Sequence, residues 1–167
     1  MGYAANDKIN VIYNVSSRSS TMIFGFIKNL FKPSPINRAF QNCVEADQTL
    51  LVTVMTFYQS YKTVGIELSP DTSSFDQLED ILKNYSPDTK DTTLDAVAAF
   101  LGCIVREQLG GKWTKTPDGR YKITRIGDSA FTVDLADDLR SPLASETRPR
   151  LEDLYNKIAK QAAKAIS

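Results

Sequence analysis

The sequence predicts an α+β fold, mostly helical, with a small three-stranded antiparallel meander packed on the helices. Apolar residues recur at spacings of three and four over Asn37–Thr63, Phe75–Tyr85 and Thr93–Leu109. After Gly110-Gly111 the period changes to short β-type runs separated by turn residues, Pro117-Asp118-Gly119 and Gly127-Asp128-Ser129. A helical pattern then returns over Pro149–Ala165. Helices, then strands, then a helix suggest a small sheet covered on one face.

The N-terminal 33 residues read as an arm or extension. Ile9–Val15 alternates weakly, and Ser16-Ser17-Arg18-Ser19-Ser20 reads as a flexible linker. Met22–Lys32 reads as a short amphipathic helix ended by Pro33 and Pro35, and Met22 resembles a natural start. The globular unit is expected over 34–167.

Its first helix is expected over Asn37–Thr63, with Phe40, Cys43, Val44, Leu50, Leu51, Val54, Phe57, Tyr58 and Tyr61 on one face. Asp47 interrupts that face, and β-branched residues from Val52 to Thr56 weaken the helical signal. In Phe75–Tyr85 the stripe is Phe75, Leu78, Leu82 and Tyr85, and Ser74 with Gln77 suggests a capping box. Thr93–Leu109 carries Leu94, Val97, Leu101, Ile104 and Val105 and ends at a glycine pair. The strands are expected over Lys112–Thr116, Arg120–Ile126 and Ala130–Leu135, followed by a polar loop. In the last helix Thr147 is the expected N-cap and Pro149 lies in the first turn. Leu151, Leu154, Tyr155, Ile158, Ala162 and Ile166 make its buried stripe.

Composition narrows the chemistry. The 167 residues contain 20 basic and 20 acidic side chains, so no global field draws in nucleic acid or an anionic membrane. Histidine is absent, which removes Ser-His-Asp and Cys-His nucleophile activation, His-based zinc sites and the usual pH switch near neutrality. Cys43 and Cys103 are too far apart for a redox CxxC or a metal knuckle. They read as reduced thiols in the core, and a disulfide requires their two helices to meet face to face. No secretory pattern and no apolar run of bilayer length is visible, so a cytoplasmic location is expected.

Several clusters are candidate sites, each with a plainer reading beside it. Lys112, Lys115, Arg120, Lys122 and Arg125 against Asp118 give the meander a net +4. Alternation would place Arg120, Lys122 and Thr124 on one face, with Tyr121 and Ile123 on the other. The choices are a solvated face, an acidic protein partner or, less favoured, nucleic acid. Residues 67–95 form the counterpart, with eight carboxylates against Lys83 and Lys90, a solvated face or a surface for a basic partner or self-association. Trp113 anchors the sheet on the preceding helix or, with Tyr121, offers a stacking platform. Gly102 in mid-helix predicts a close approach of the sheet, since glycine there costs about 1 kcal/mol otherwise. Asp134, Asp137 and Asp138 could supply an acid–base pair, but the pattern lacks a second cluster for a metal, and no metal or cofactor is expected. On Met22–Lys32, the residues Ile23, Phe24, Phe26, Ile27, Leu30 and Phe31 could meet a membrane surface or a partner.

The run Ala98-Ala99-Phe100-Leu101-Gly102, followed by Arg106-Glu107 and Gly110-Gly111-Lys112-Trp113, resembles part of an uncharacterised bacterial domain family. The likeness covers about residues 94–135, with Cys103 standing where the family pattern has an acidic residue. It implies a fold and a bacterial setting, and no activity. The resulting expectation is a non-catalytic protein-interaction domain: an adaptor, immunity-like or assembly subunit. The alternatives are a small-molecule-binding domain or carboxylate-based enzyme with a cleft between sheet and helices, using Asp134 or Glu107, and a peripheral membrane protein.

Overall fold

Asp47 sets the first departure from the expected pattern. In the computed structural model, which describes residues 35–44, 47–84, 92–143 and 150–165, the helix anticipated over Asn37–Thr63 is two helices, α1 (Pro35–Val44) and α2 (Gln48–Thr63). Asp47 has extended backbone, and its carboxylate accepts a hydrogen bond from the Thr49 N–H at 2.6 Å. A short acidic side chain satisfies an orphan donor at a helix start better than it fits a helix interior. The periodicity ran through the break because both helices face one core, with Ala39, Phe40 and Cys43 from α1 and Leu50, Val54, Phe57, Tyr58 and Tyr61 from α2. Phe40 meets Tyr58 edge-on at 5.5 Å.

A 3₁₀ turn, Thr72–Ser74, leads into α3 (Phe75–Lys83). The expected capping box is not formed. Asp71 caps the turn through the Ser73 N–H, while the Ser74 hydroxyl accepts from the Ser69 N–H at 2.6 Å. Phe75, Leu78, Ile81 and Leu82 are buried, and so is Glu79.

α4 (Thr92–Leu109) is the centre of the molecule. Its buried residues, among them Leu94, Val97, Ala98, Phe100, Leu101, Ile104 and Val105, surround the helix rather than form one stripe. A helix apolar on all sides belongs inside, and α1, α2 and α3 pack against it.

The meander follows, in order β1 (Lys112–Lys115), β2 (Tyr121–Thr124) and β3 (Thr132–Val133), with both pairings antiparallel. The strands are shorter than expected. After β2 the chain bends at Arg125 into a 3₁₀ turn, Ile126–Asp128, whose Ser129 hydroxyl donates to the Ile126 carbonyl and accepts from the Phe131 N–H. β3 stops where Asp134 begins a helix in the segment expected to be loop. This is α5 (Leu135–Leu143), packed on α4 through buried Leu135 and Leu139.

Gly102 and Trp113 show how the sheet is seated. A Cβ at Gly102 would stand 2.1 Å from Cη2 and 2.5 Å from Cζ2 of Trp113, so the absent side chain is the space the indole fills. The close approach expected at Gly102 is present, and the partner is the tryptophan.

α6 (Leu151–Lys164) closes the core with Leu151, Leu154, Ile158 and Ala162. Its N-cap residue, Arg150, supplies no capping side chain, and Glu79 of α3 accepts from the Leu151 N–H instead. Arg150 pairs with Asp76 at 3.1 Å, and Tyr155 packs on Phe75 with ring centroids 5.6 Å apart. No helix among the described residues is long and apolar enough to cross a membrane. The expected amphipathic segment (Ile23, Phe24, Phe26, Ile27, Leu30, Phe31), Tyr85, Thr147, Pro149 and Ile166 lie outside the described residues.

Candidate functional site

Strand register sorts the meander's side chains between two faces. Trp113 pairs with Ile123, and Ile123 with Val133, placing that row toward the helices. Lys115 and Tyr121 share the inner face. Lys112, Thr114, Lys122, Thr124 and Thr132 share the outer one, where the Thr114 and Thr124 hydroxyls lie 3.1 Å apart. Alternation in β2 is therefore as the sequence suggests, with Lys122 and Thr124 opposite Tyr121 and Ile123.

The five cations of the meander have different fates. Lys115 Nζ lies 2.8 Å from Asp47 and 5.5 Å from the Tyr121 ring centroid, tying β1 to the start of α2. Asp47 is held far below the usual carboxylate range, first by the Lys115 ammonium and then by Thr49. Burial pushes the Tyr121 phenol up. Arg120 reaches Asp118 at 2.7 Å, Asp137 at 2.6 Å and Asp134 at 3.4 Å. Lys122 stands 3.7 Å from Asp134. Arg140 extends the network, 2.5 Å from Asp95 and 3.8 Å from Asp137. Alternating charges thus run from the β1–β2 turn across α5 to the first turn of α4. Three of the five cations are neutralised within the domain.

Lys112 and Arg125 differ, since neither makes an ion pair among the described residues. They share one end of the sheet, because Lys112 pairs with Thr124, the residue before Arg125. Both are exposed. Arg125 and Asp128 have left-handed backbone, with φ of 57° and 59°. Residues with a Cβ rarely adopt it, and such strain collects where a side chain must be aimed.

The acidic triplet is also divided. Asp134 accepts from the Asp137 N–H at 3.2 Å and so caps α5, while Asp137 is held by Arg120 and Arg140. Asp138 is pushed up chiefly by burial, opposed by Lys157. No group of three or more His, Cys, Asp or Glu among the described residues is placed to hold a metal ion. Beside the triplet, between β2–β3 and helices α5 and α6, lies a cleft of about 380 Å³. Lys122, Asp134, Asp138 and Lys157 stand around it, and Leu154 and Ile158 contribute its apolar surface.

The remaining candidates have structural employment. The benzo edge of Trp113 is spent on Gly102, and its buried indole N–H has no hydrogen-bond partner among the described residues. Glu107 faces Arg38 of α1 at 3.5 Å. In the acidic 67–95 region, Asp80 pairs with Lys83, Asp76 with Arg150 and Asp95 with Arg140. Glu79 is not on a solvated face at all. Sequence reasoning missed its role because a helix cap supplied from another helix leaves no local signature.

Comparison of the chain with family models, with curated proteins and with solved structures returned no match.

Proposed function

We propose that the chain is a non-catalytic protein-interaction domain of the adaptor, immunity-like or assembly-subunit kind, whose contact centres on Lys112 and Arg125 and recognises an acidic partner surface. One observation carries this reading: among the described residues these are the meander cations left without a counter-ion, and they stand together at one end of the sheet. The left-handed backbone at Arg125 and the edge position of β1 among the described strands support it. Charges already committed to internal pairs contribute little to an encounter, whereas uncommitted rim charges steer it and make it salt-dependent.

The test is quantitative capture on the immobilised full chain at low and moderate salt. A specific partner should be retained less by Lys112→Glu and Arg125→Glu together, by about tenfold, in line with 1–2 kcal/mol lost from two rim charges. Lys122→Glu serves as the comparison, because its partner is Asp134 of this chain. Retention of every captured protein unchanged by the double reversal removes the contact from this end of the sheet.

The cleft between sheet and helices favours a second reading, a small-molecule-binding domain. Ammonium and carboxylate groups around apolar surface suit a small zwitterion. A thermal-shift screen of such compounds should then find one that raises Tm in the natural chain and not in Lys157→Glu. No shift with any of them rejects it.

A further inference from the structure

Cys43 and Cys103 lie on different helices, yet their sulfurs are 3.2 Å apart. Both residues are almost wholly buried, at 0% and 2% exposure. α1 and α4 do meet face to face, and Arg38–Glu107 makes a second link between them. We infer that Cys43 and Cys103 form a reversible redox clasp, a buried dithiol that closes to an intramolecular disulfide and fastens α1 to α4. The inference is independent of where a partner binds.

The geometry makes this pair better suited to closure than to any other fate. A disulfide needs its sulfurs about 2.05 Å apart, so an approach of roughly 1.2 Å suffices, within reach of side-chain rotation and a small helix shift. No third cysteine exists in the chain to compete as an intramolecular partner. The hydrogen-bonded Cys43 thiol, and after it burial, push the Cys103 thiol well above its ordinary range. The reactive thiolate is therefore scarce in the closed core, and oxidation waits on a transient loosening of α1.

The oxidant class is a hydroperoxide. One thiolate attacks the peroxide oxygen, the O–O bond breaks, and a sulfenic acid forms as hydroxide leaves and takes up the proton. The second thiol, on losing its proton, attacks that sulfur and expels the hydroxyl as water. Two thiols are oxidised by two electrons, and one hydrogen peroxide is reduced to two waters. A dithiol reductant reverses the step by thiol–disulfide exchange.

The test uses the full chain with hydrogen peroxide, followed by intact mass, peptide mapping without reduction, and thermal unfolding. The expected product is a monomer lighter by two hydrogens, with Cys43 joined to Cys103. Because the closed loop is long, Tm should rise by roughly 10 °C and fall back on reduction. Cys43→Ser and Cys103→Ser should each abolish the mass change. If either variant fails to fold, the peptide map of the natural chain still decides the matter. Three outcomes overturn the inference: disulfide-linked dimers as the main product, oxygen added to either cysteine without a cross-link, or both thiols intact at a peroxide dose that oxidises the denatured chain.

Discussion

Replacing Gly102 by alanine tests how the sheet is seated on α4. Two effects oppose each other. Alanine favours a helix interior over glycine by about 1 kcal/mol. Against this, the new methyl would stand 2.1 Å from Trp113 Cη2, with Cζ2 at 2.5 Å and Cζ3 at 3.2 Å. Carbon atoms in contact rest at about 3.5–4.0 Å, so the indole must retreat by at least about 1.4 Å. Trp113 sits on the edge strand β1 and is half-buried, so the ring escapes outward and uncovers apolar surface. Such overpacking costs about 1–3 kcal/mol, and subtracting the helical gain leaves a net loss of about 0–2 kcal/mol. Urea unfolding measures the loss directly. The same tryptophan, the only one in the chain, reports the displacement through its fluorescence. Trp113→Phe should relieve the clash, making the double variant more stable than the two single losses sum to. An unchanged emission maximum with equal or greater stability for Gly102→Ala would refute this account of the glycine.

Glu79→Ala should cost about 1–3 kcal/mol, because the Leu151 N–H is left without its acceptor inside the core. Glu79→Gln keeps an acceptor and should lose less, a ranking that chemical denaturation can check. Acid should loosen the β1–β2 region through Asp47 and Asp118. Both carboxyls are depressed in the folded state, Asp118 to about 2 by Thr116 and Arg120. Their contribution is complete above the unfolded value near 4 and declines as pH falls through the folded values. Tm measured from pH 5 to 2 should therefore drop, and Asp47→Asn together with Asp118→Asn should flatten the fall. An identical slope in the double variant contradicts these assignments.

Periodic burial was legible wherever one helix carried its own apolar face. The stripes Phe75, Leu78 and Leu82 and Leu151, Leu154 and Ile158 are buried as their spacing requires, and β2 alternates as its sequence does. What stayed hidden depends on contacts between distant residues. Nothing near Asp47 says that it begins a helix and also holds Lys115. In sequence, the leucines of α5 (Leu135, Leu139 and Leu143) are set among Asp, Ser and Pro residues that read as loop. The net charge of the meander was readable, but its neutralisation was not, since Asp134 and Asp137 reach Arg120 only after α5 folds back beside β2. For the candidate interface, sequence could name five cations; packing singles out Lys112 and Arg125.

The bond from Glu79 to Leu151 joins positions 72 residues apart. During synthesis, everything needed for α3 emerges long before its counterpart does, and until then Phe75, Leu78 and Leu82 have no α6 to lie beneath. Assembly of this domain is thus finished from its C-terminal side, and a nascent chain stopped short of Leu151 holds an acidic group at the threshold of an unfinished interior.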